Sequence, residues 1–141
     1  MNPLPERILK FIKKHHLLSL ATIDNDGLWC CSCFYTYIAE ENIFVFTSDV
    51  NTKHIQNLQN SNKVAGTIAL ETKIIGKIRG IQLAGTIEKL EGEKLKTAEK
   101  AYKKKFPIAM LMNTTLWGVT PDIIKMTDNR LGFGKKLYWK P

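Results

Sequence analysis

The stretch 43–66, IFVFTSDVNTKHIQNLQNSNKVAG, decides how the rest of the chain is interpreted. It opens with the apolar residues 43–46, whose β-branched and aromatic side chains are typical of a short strand buried on both faces. Helix-capping residues follow at once, and the spacing of Ile55 and Leu58 predicts a short helix over 52–60 with one apolar stripe. A strand therefore passes directly into the N-terminus of a helix.

Such a junction suits a phosphate group, because the first N–H groups of a helix lack intrahelical partners and its dipole is positive there. Thr47, Ser48 and Thr52 add hydroxyl groups, and Lys53 adds a cation. We expect the Lys53 ammonium to point toward the phosphate position. The same residues also fit an ordinary capped helix after a strand, since capping residues are common at such turns. Both interpretations stay open on these residues alone.

The length of 141 residues fits a single domain over 1–141, large enough to bury a core without metals or disulfides. No apolar stretch approaches the roughly 18 residues of a membrane span, and the N-terminus lacks the apolar region of a signal peptide. We therefore expect no membrane association and a cytoplasmic location.

The three cysteines lie within four residues, at Cys30, Cys31 and Cys33, and Cys31 and Cys33 should share one face of a strand. Without a distant cysteine partner, they are expected to be reduced thiols. A zinc site usually needs paired ligands at turn spacing, and the only histidine cluster is the adjacent pair His15 and His16 on a helix. The sequence therefore predicts no metal site.

The formal net charge of +8 raises the question of nucleic-acid binding. Only three of the 21 basic residues are arginines. Proteins that bind nucleic acids favour arginine, because its planar guanidinium group can donate two hydrogen bonds to a base or a phosphate. Six lysines fall within residues 94–105, where helical spacing places most of them on a solvated face. Nucleic acid is therefore not the expected partner.

The remaining patterns predict a mainly β protein of the α+β class. Residues 5–16 and 91–106 have the apolar spacing of amphipathic helices, and the Asp26-Gly27 step predicts a hairpin before a long strand over 28–38. Glycines 76, 80 and 85 interrupt residues 72–90 and suggest bulges in a curved sheet. Six or seven strands, most of them antiparallel, and three helices indicate a small barrel with flanking helices.

Four motifs in order resemble the flavin-binding split-barrel superfamily typified by pyridoxamine 5'-phosphate oxidase: LATIDNDG, FVFTSDVNTKH, RGIQLAGTIEKL and TDNRLGFG. The resemblance spans nearly the whole chain and is greatest to an uncharacterised bacterial branch. It implies a six- to seven-stranded antiparallel split β-barrel.

The resemblance also implies that FMN binds at a homodimer interface. By position, the phosphate would lie against Thr47, Ser48, Asn51, Thr52 and Lys53. The flavin ring would lie near Cys31, Ser32 and Cys33 on the second strand and near Arg79, Gly80, Ile81 and Gln82 on a later strand. A homodimer would also cover Trp29, Tyr35 and Tyr37, which we expect on an exposed apolar face.

These features imply an FMN-binding protein, and a flavin-dependent oxidoreductase of unknown substrate is its expected activity. The flavin ring would supply the redox chemistry, so no catalytic dyad is required. The substrate-binding Arg and His of the oxidases have no counterpart in residues 134–141, so oxidation of pyridoxamine phosphate is not expected. The alternatives are a flavin carrier without turnover and a flavin-free basic module that binds nucleic acid or another anionic partner.

Overall fold

The computed structural model describes residues 2–111 and 115–141, and over these residues the chain has seven strands and three α-helices. The helices are α1 (Glu6–Lys14), α2 (Lys53–Gln56) and α3 (Gly92–Lys105). The strands are β1 (Leu17–Asp24), β2 (Gly27–Ile38), β3 (Ile43–Ser48), β4 (Lys63–Ala69), β5 (Arg79–Lys89), β6 (Thr115–Asp128) and β7 (Lys136–Trp139). None of the helices in the described residues is long and apolar enough to cross a membrane.

One sheet contains all seven strands in the order β3-β2-β1-β4-β5-β6-β7, and each neighbouring pair is antiparallel. The first part of β6 pairs back onto β3, with Phe46 opposite Trp117, which closes six strands into a barrel. Along the same edge, the last part of β6 pairs with β7 rather than with β3. This architecture confirms the expected α+β split barrel.

The prediction that β3 is buried on both faces is confirmed by two clusters of buried side chains. Phe44 and Phe46 point into the barrel core, which α1 covers with Ile8, Phe11 and Ile12. Val45 lies on the opposite face, in a second cluster that contains Ala98 and Tyr102 of α3. The strand therefore joins the barrel interior to an outer helix.

The helix expected over 52–60 is shorter in the structure. α2 ends at Gln56, and a 3₁₀ turn follows over Asn57–Gln59. The Thr52 hydroxyl does not cap α2, because it donates to the backbone oxygen of Asp49 at 2.8 Å. The buried Asn57 amide contacts Thr22 Oγ1 at 3.2 Å, and such local polar contacts compete with continued helix.

The three glycines of residues 72–90 have different roles. Gly85 lies at a register shift in the pairing of β5 with β6, so the expected bulge is present there. Gly80 pairs regularly with Ala69, and Gly76 lies in a 3₁₀ turn before β5. Only Gly85 therefore marks an irregularity of the β5–β6 ladder.

Candidate functional site

The end of β3 and the start of α2 bring two hydroxyl groups and an imidazole together. Ser48 Oγ lies 2.6 Å from His54 Nε2, and Thr52 Oγ1 lies 3.3 Å from the same nitrogen. The two hydroxyl oxygens are 3.4 Å apart. We call Ser48, Thr52 and His54 the barrel-end cluster. Burial lowers the pKa of His54, which favours the neutral ring near neutral pH.

Two thiols of β2 lie beside the barrel-end cluster. Cys31 and Cys33 both point inward from β2, and their sulfur atoms are 3.6 Å apart. One ligand atom from each of Cys31, Cys33 and His54 lies within 4.8 Å of the other two. The hydrogen bond between the thiols lowers the pKa of Cys31, and the same bond, together with burial, raises the pKa of Cys33.

His54 is not among the site residues predicted from the sequence. Lys53 stands out in the sequence as a cation at the helix start, whereas His54 belongs to no recognised spacing motif with the cysteines more than twenty residues earlier. A histidine directly after a strand-to-helix junction rich in hydroxyl groups was the available signal.

The Lys53 ammonium forms an ion pair with Asp24, outside the barrel-end cluster. Its Nζ lies 3.0 Å from Asp24 Oδ2 and 5.6 Å from the centre of the Trp29 ring. Asp24 therefore neutralises the cation at the β1–β2 turn, and the hydrogen bond from Lys53 lowers the pKa of Asp24. In this structure the ammonium is directed to Asp24, and its approach to a phosphate group stays a prediction. Asp24 also accepts from the Asp26 N–H at 2.8 Å, so it both stabilises the turn and pairs with Lys53.

The other residues expected at the phosphate lie apart from the barrel-end cluster. Thr47 Oγ1 donates to the backbone oxygen of Thr115 at 3.3 Å, because alternation along β3 places its side chain on the face opposite Ser48. Asn51 is exposed, and its N–H donates to Asp49 Oδ1 at 2.8 Å. Of the five residues, the structure brings together only Ser48 and Thr52.

The outer face of the barrel carries a shallow shelf of small and polar side chains. One row across β2, β1, β4 and β5 is polar and contains Ser32, Ser19, Thr67 and Gln82. The adjacent row has small side chains and contains Cys30, Ala21, Ala65 and Ala84. Parts of these rows line a groove of about 260 Å³. We call this surface the outer shelf.

Strand alternation separates the residues that were expected to surround the flavin ring. Ser32 and Gln82 lie on the outer shelf, whereas Cys31 and Cys33 point to the interior. Ile81 is a core residue. Gly80 lies within the β4–β5 ladder, and Arg79 faces a cleft on another side of the barrel. Consecutive residues of one strand could not all face the same ring.

A basic cleft of about 470 Å³ lies between α1 and the ends of β5 and β6. Its lining includes all three arginines of the chain, together with Glu6, Lys10, Phe11, Lys14 and Met126. The buried Asp128 beside it accepts from Arg130 at 2.9 Å and from Arg7 at 3.1 Å. These bonds, with Arg130 foremost, lower the pKa of Asp128 to about 2. Arg79 Nε is buried and has no hydrogen-bond partner among the described residues.

The exposed apolar surface differs from the one expected. Tyr35 is fully buried and donates to the backbone oxygen of Ile12 at 2.6 Å, and Tyr37 packs against the core, so α1 and its surroundings already cover this face. Trp29 is half exposed. The exposed apolar residues of the β1–β2 pair lie instead on its outer face, at Leu17, Ile23, Leu28 and Phe34.

Comparison with known proteins gives consistent matches. Residues 4–127 match the family model described as pyridoxamine 5'-phosphate oxidase. A UPF0306 protein of Photorhabdus laumondii is 41% identical over 133 residues, which cover 94% of this chain and 93% of that protein.

Two solved structures show the same fold at low sequence identity. A heme-binding protein from Mycobacterium smegmatis has a TM-score of 0.79 and 17% identity, over 99% of this chain and 60% of that one. A FAD-binding protein from Mesorhizobium loti has a TM-score of 0.70 and 13% identity, over 87% of this chain and 94% of that one.

Proposed function

This chain belongs to the pyridoxamine 5'-phosphate oxidase family, and from this membership we propose that it is an FMN-binding protein and a flavin-dependent oxidoreductase. The outer shelf is the observation that carries the proposal. A single domain over 1–141 and a cytoplasmic location belong to the same proposal.

The outer shelf fits a flat aromatic ring. Cys30, Ala21 and Ala65 have short side chains, so a planar ring can approach the sheet closely there. Ser32 and Gln82 in the adjacent row are exposed and offer hydrogen bonds to the polar atoms of a flavin. A shelf of this kind can orient a ring and supply hydrogen bonds to it, which is the protein's task in flavin enzymes.

The barrel-end cluster offers donors for a phosphate group. Ser48 provides a hydroxyl group, and the Thr52 hydroxyl can donate to a phosphate once it leaves the backbone oxygen of Asp49. The four-residue α2 is too short for a macrodipole to dominate, so these side chains rather than the helix would bind the anion. Lys53 can contribute to phosphate binding only if its ammonium contacts the phosphate while it stays paired with Asp24.

A homodimer completes the proposal. Leu17 pairs with Phe34 and Ile23 with Leu28 across the β1–β2 ladder, and these pairs flank the small residues of the outer shelf. All four side chains are at least 40% exposed, and a second copy of the same face would remove them from water. The ring would then lie between two protomers, shielded from solvent.

When bound, FMN supplies hydride or electron transfer through its ring. The residues of this chain would orient the ring by hydrogen bonds from Ser32 and Gln82 and bind the phosphate by Ser48 and Thr52. The apolar pairs Leu17–Phe34 and Ile23–Leu28 would form the dimer contact and exclude water from the ring.

A second candidate function rests on the basic cleft. Arg7, Arg79 and Arg130 meet there, and the unpartnered Nε of Arg79 is a donor for an anionic group. A flavin-free protein that binds a carboxylate- or phosphate-bearing ligand would use this cleft. The heme-binding neighbour makes heme, with its two carboxylates, a probe of this candidate.

Visible absorption after desalting tests both candidates. FMN and heme are added separately to the purified protein, and we expect retained flavin at one FMN per chain. Gln82→Ala should weaken FMN by about 0.5–1.5 kcal/mol, the range for a neutral hydrogen bond. Gln59→Ala, an exposed glutamine outside the shelf, is the matched control and should bind FMN like the parent.

Retention of heme without retention of FMN would overturn the flavin proposal and favour the cleft. If flavin is retained, reduction of the bound flavin by NADH or NADPH under anaerobic conditions tests the oxidoreductase activity. Retained flavin that accepts no electrons from either donor would favour a flavin carrier.

A further inference from the structure

We infer that Cys31, Cys33 and His54 form a binding site for a thiophilic metal ion, and that Zn²⁺ is the ion this donor set fits best. Two thiolates and one imidazole are ligands that zinc takes in proteins. The metal site lies on the inner face of β2 and shares His54 with the barrel-end cluster, whereas the proposed flavin ring lies on the outer shelf.

The distances between the ligand atoms match a single metal ion. Two sulfur atoms bound to one tetrahedral zinc at about 2.3 Å each lie about 3.8 Å apart. The sulfur atoms of Cys31 and Cys33 are 3.6 Å apart, and the ligand atom of His54 completes a triangle with no side above 4.8 Å. Small side-chain rotations are therefore sufficient to bind one ion.

The backbone holds the three ligands in place. Antiparallel pairing sets Cys33 opposite Leu18 and Cys31 opposite Leu20, so both thiols must point to the same side of β2. The Ser48 hydroxyl contacts Nε2 of the His54 ring at 2.6 Å, so Nδ1 is the nitrogen that would bind the ion. Such a contact orients a metal-binding imidazole in many proteins.

A disulfide is a poorer use of the same thiols. Residues two apart on an extended strand have Cα atoms about 6.6–6.8 Å apart, at the upper end of the range that a disulfide bridges. A metal ion requires no bond between the sulfur atoms and tolerates their separation of 3.6 Å.

The local charge is compatible with a dication. Two thiolates balance the charge of Zn²⁺, and Asp24 engages the neighbouring Lys53 at 3.0 Å. Three protein ligands leave a fourth position for water or another ligand, the arrangement typical of catalytic and exchangeable zinc sites.

Cobalt titration under reducing conditions tests the site, because thiolate ligands give Co²⁺ an intense charge-transfer absorption. We expect one Co²⁺ per chain, displaced by Zn²⁺, with Zn²⁺ affinity measured against a chromophoric chelator. Cys31→Ser, Cys33→Ser and His54→Gln should each abolish the charge-transfer band or weaken Zn²⁺ binding at least about a hundredfold, more than the loss of a residue that only hydrogen-bonds to a metal ligand.

Two control variants test whether Co²⁺ binding needs the proposed ligands or any thiol or histidine of the chain. Cys30→Ser removes the exposed thiol on the outer face of β2, and His16→Gln removes an exposed histidine whose ring stacks on Phe34 of the same outer face. Both should bind Co²⁺ like the parent. Ser48→Ala should lower Zn²⁺ affinity by about 10–100-fold through loss of ring orientation.

The proposal is wrong if the parent binds Zn²⁺ no more tightly than Cys31→Ser, or if Cys30→Ser loses binding to the same extent. Since Cys33 is buried and its variant can fail to fold, the half-buried His54 and Cys31 provide the deciding variants. Far-ultraviolet circular dichroism of each variant shows whether the fold is intact.

Discussion

At the scale of single residues, the ion pair between Lys53 and Asp24 sets how much positive charge is available near the barrel-end cluster. The two charged atoms are 3.0 Å apart, and Trp29 lies under the ammonium. An ammonium already paired with a carboxylate gains less from a phosphate than a free one does. The affinity for an anion should therefore depend on Asp24 as much as on Lys53.

Lys53→Ala should weaken FMN binding by no more than about tenfold, the lower end for a hydrogen bond to a charged group. Asp24→Asn should tighten FMN binding, because it releases the ammonium. Folding should be nearly unchanged in both variants, since exposed ion pairs contribute little. Isothermal titration calorimetry at two salt concentrations measures the affinities.

Asp26→Asn is the matched control for Asp24→Asn. This variant removes a carboxylate from the same turn, and its affinity for FMN should equal that of the parent protein. Equal affinities of the Asp24 and Asp26 variants would show that the ion pair does not limit FMN binding. A loss of about a hundredfold in Lys53→Ala would show instead that Lys53 leaves Asp24 when FMN binds.

At the scale of elements, a bulge at Asp122, opposite Ala84 and Gly85, lets β5 pair with β6 from Trp117 to Asp128. A Cβ added at Gly85 would collide with the backbone oxygen of Thr120 and lie 2.8 Å from Pro121 Cα. Backbone atoms on the neighbouring strand cannot move aside as a flexible side chain can. The close approach of the two backbones therefore requires glycine at this position.

Gly85→Ala should lower the free energy of unfolding by about 3 kcal/mol or more, because overpacking against backbone is among the costlier single changes. Gly76→Ala is the control, since an added Cβ there meets no atom within 4 Å. Urea unfolding, with slopes compared between variants, measures both. A Gly85→Ala midpoint equal to that of Gly76→Ala would contradict the role of the bulge.

At the scale of the whole molecule, the outer face of β1 and β2 joins the proposed dimer to the proposed flavin site. Ile23 and Leu28 pair at one end of this face, and Leu17 and Phe34 pair at the other. The interior-facing Tyr35 and Tyr37 are covered within the chain, so they do not contribute to the argument for a dimer. The apolar pairs on the outer face carry that argument instead.

Sedimentation should report about twice the chain mass of 16.1 kDa. The double variant Ile23→Lys, Leu28→Lys should sediment as a monomer and lose FMN, because like charges would face each other across the contact. Ile75→Lys, a change at an exposed isoleucine in the turn before β5, is the control and should stay dimeric. A parent that stays monomeric at all concentrations would remove the shared flavin site.

The order and type of the elements could be predicted from the sequence, because they depend on interactions between near neighbours. The hairpin predicted from the Asp26-Gly27 step is present, with Asn25 and Asp26 as its turn, and the apolar run 43–46 became a strand buried on both faces. The two faces of β2 were also predictable from its alternation, which placed Cys31 and Cys33 on one face.

The contacts within the candidate sites were decided only by the tertiary structure. His54 meets Cys31 and Cys33, and Lys53 meets Asp24, across more than twenty residues of chain. Such contacts depend on where α2 begins and on how it packs against β1 and β2, which no local pattern encodes. Side-chain periodicity determines which face of an element a residue occupies, whereas its partners are determined by the packing of elements that are distant in sequence.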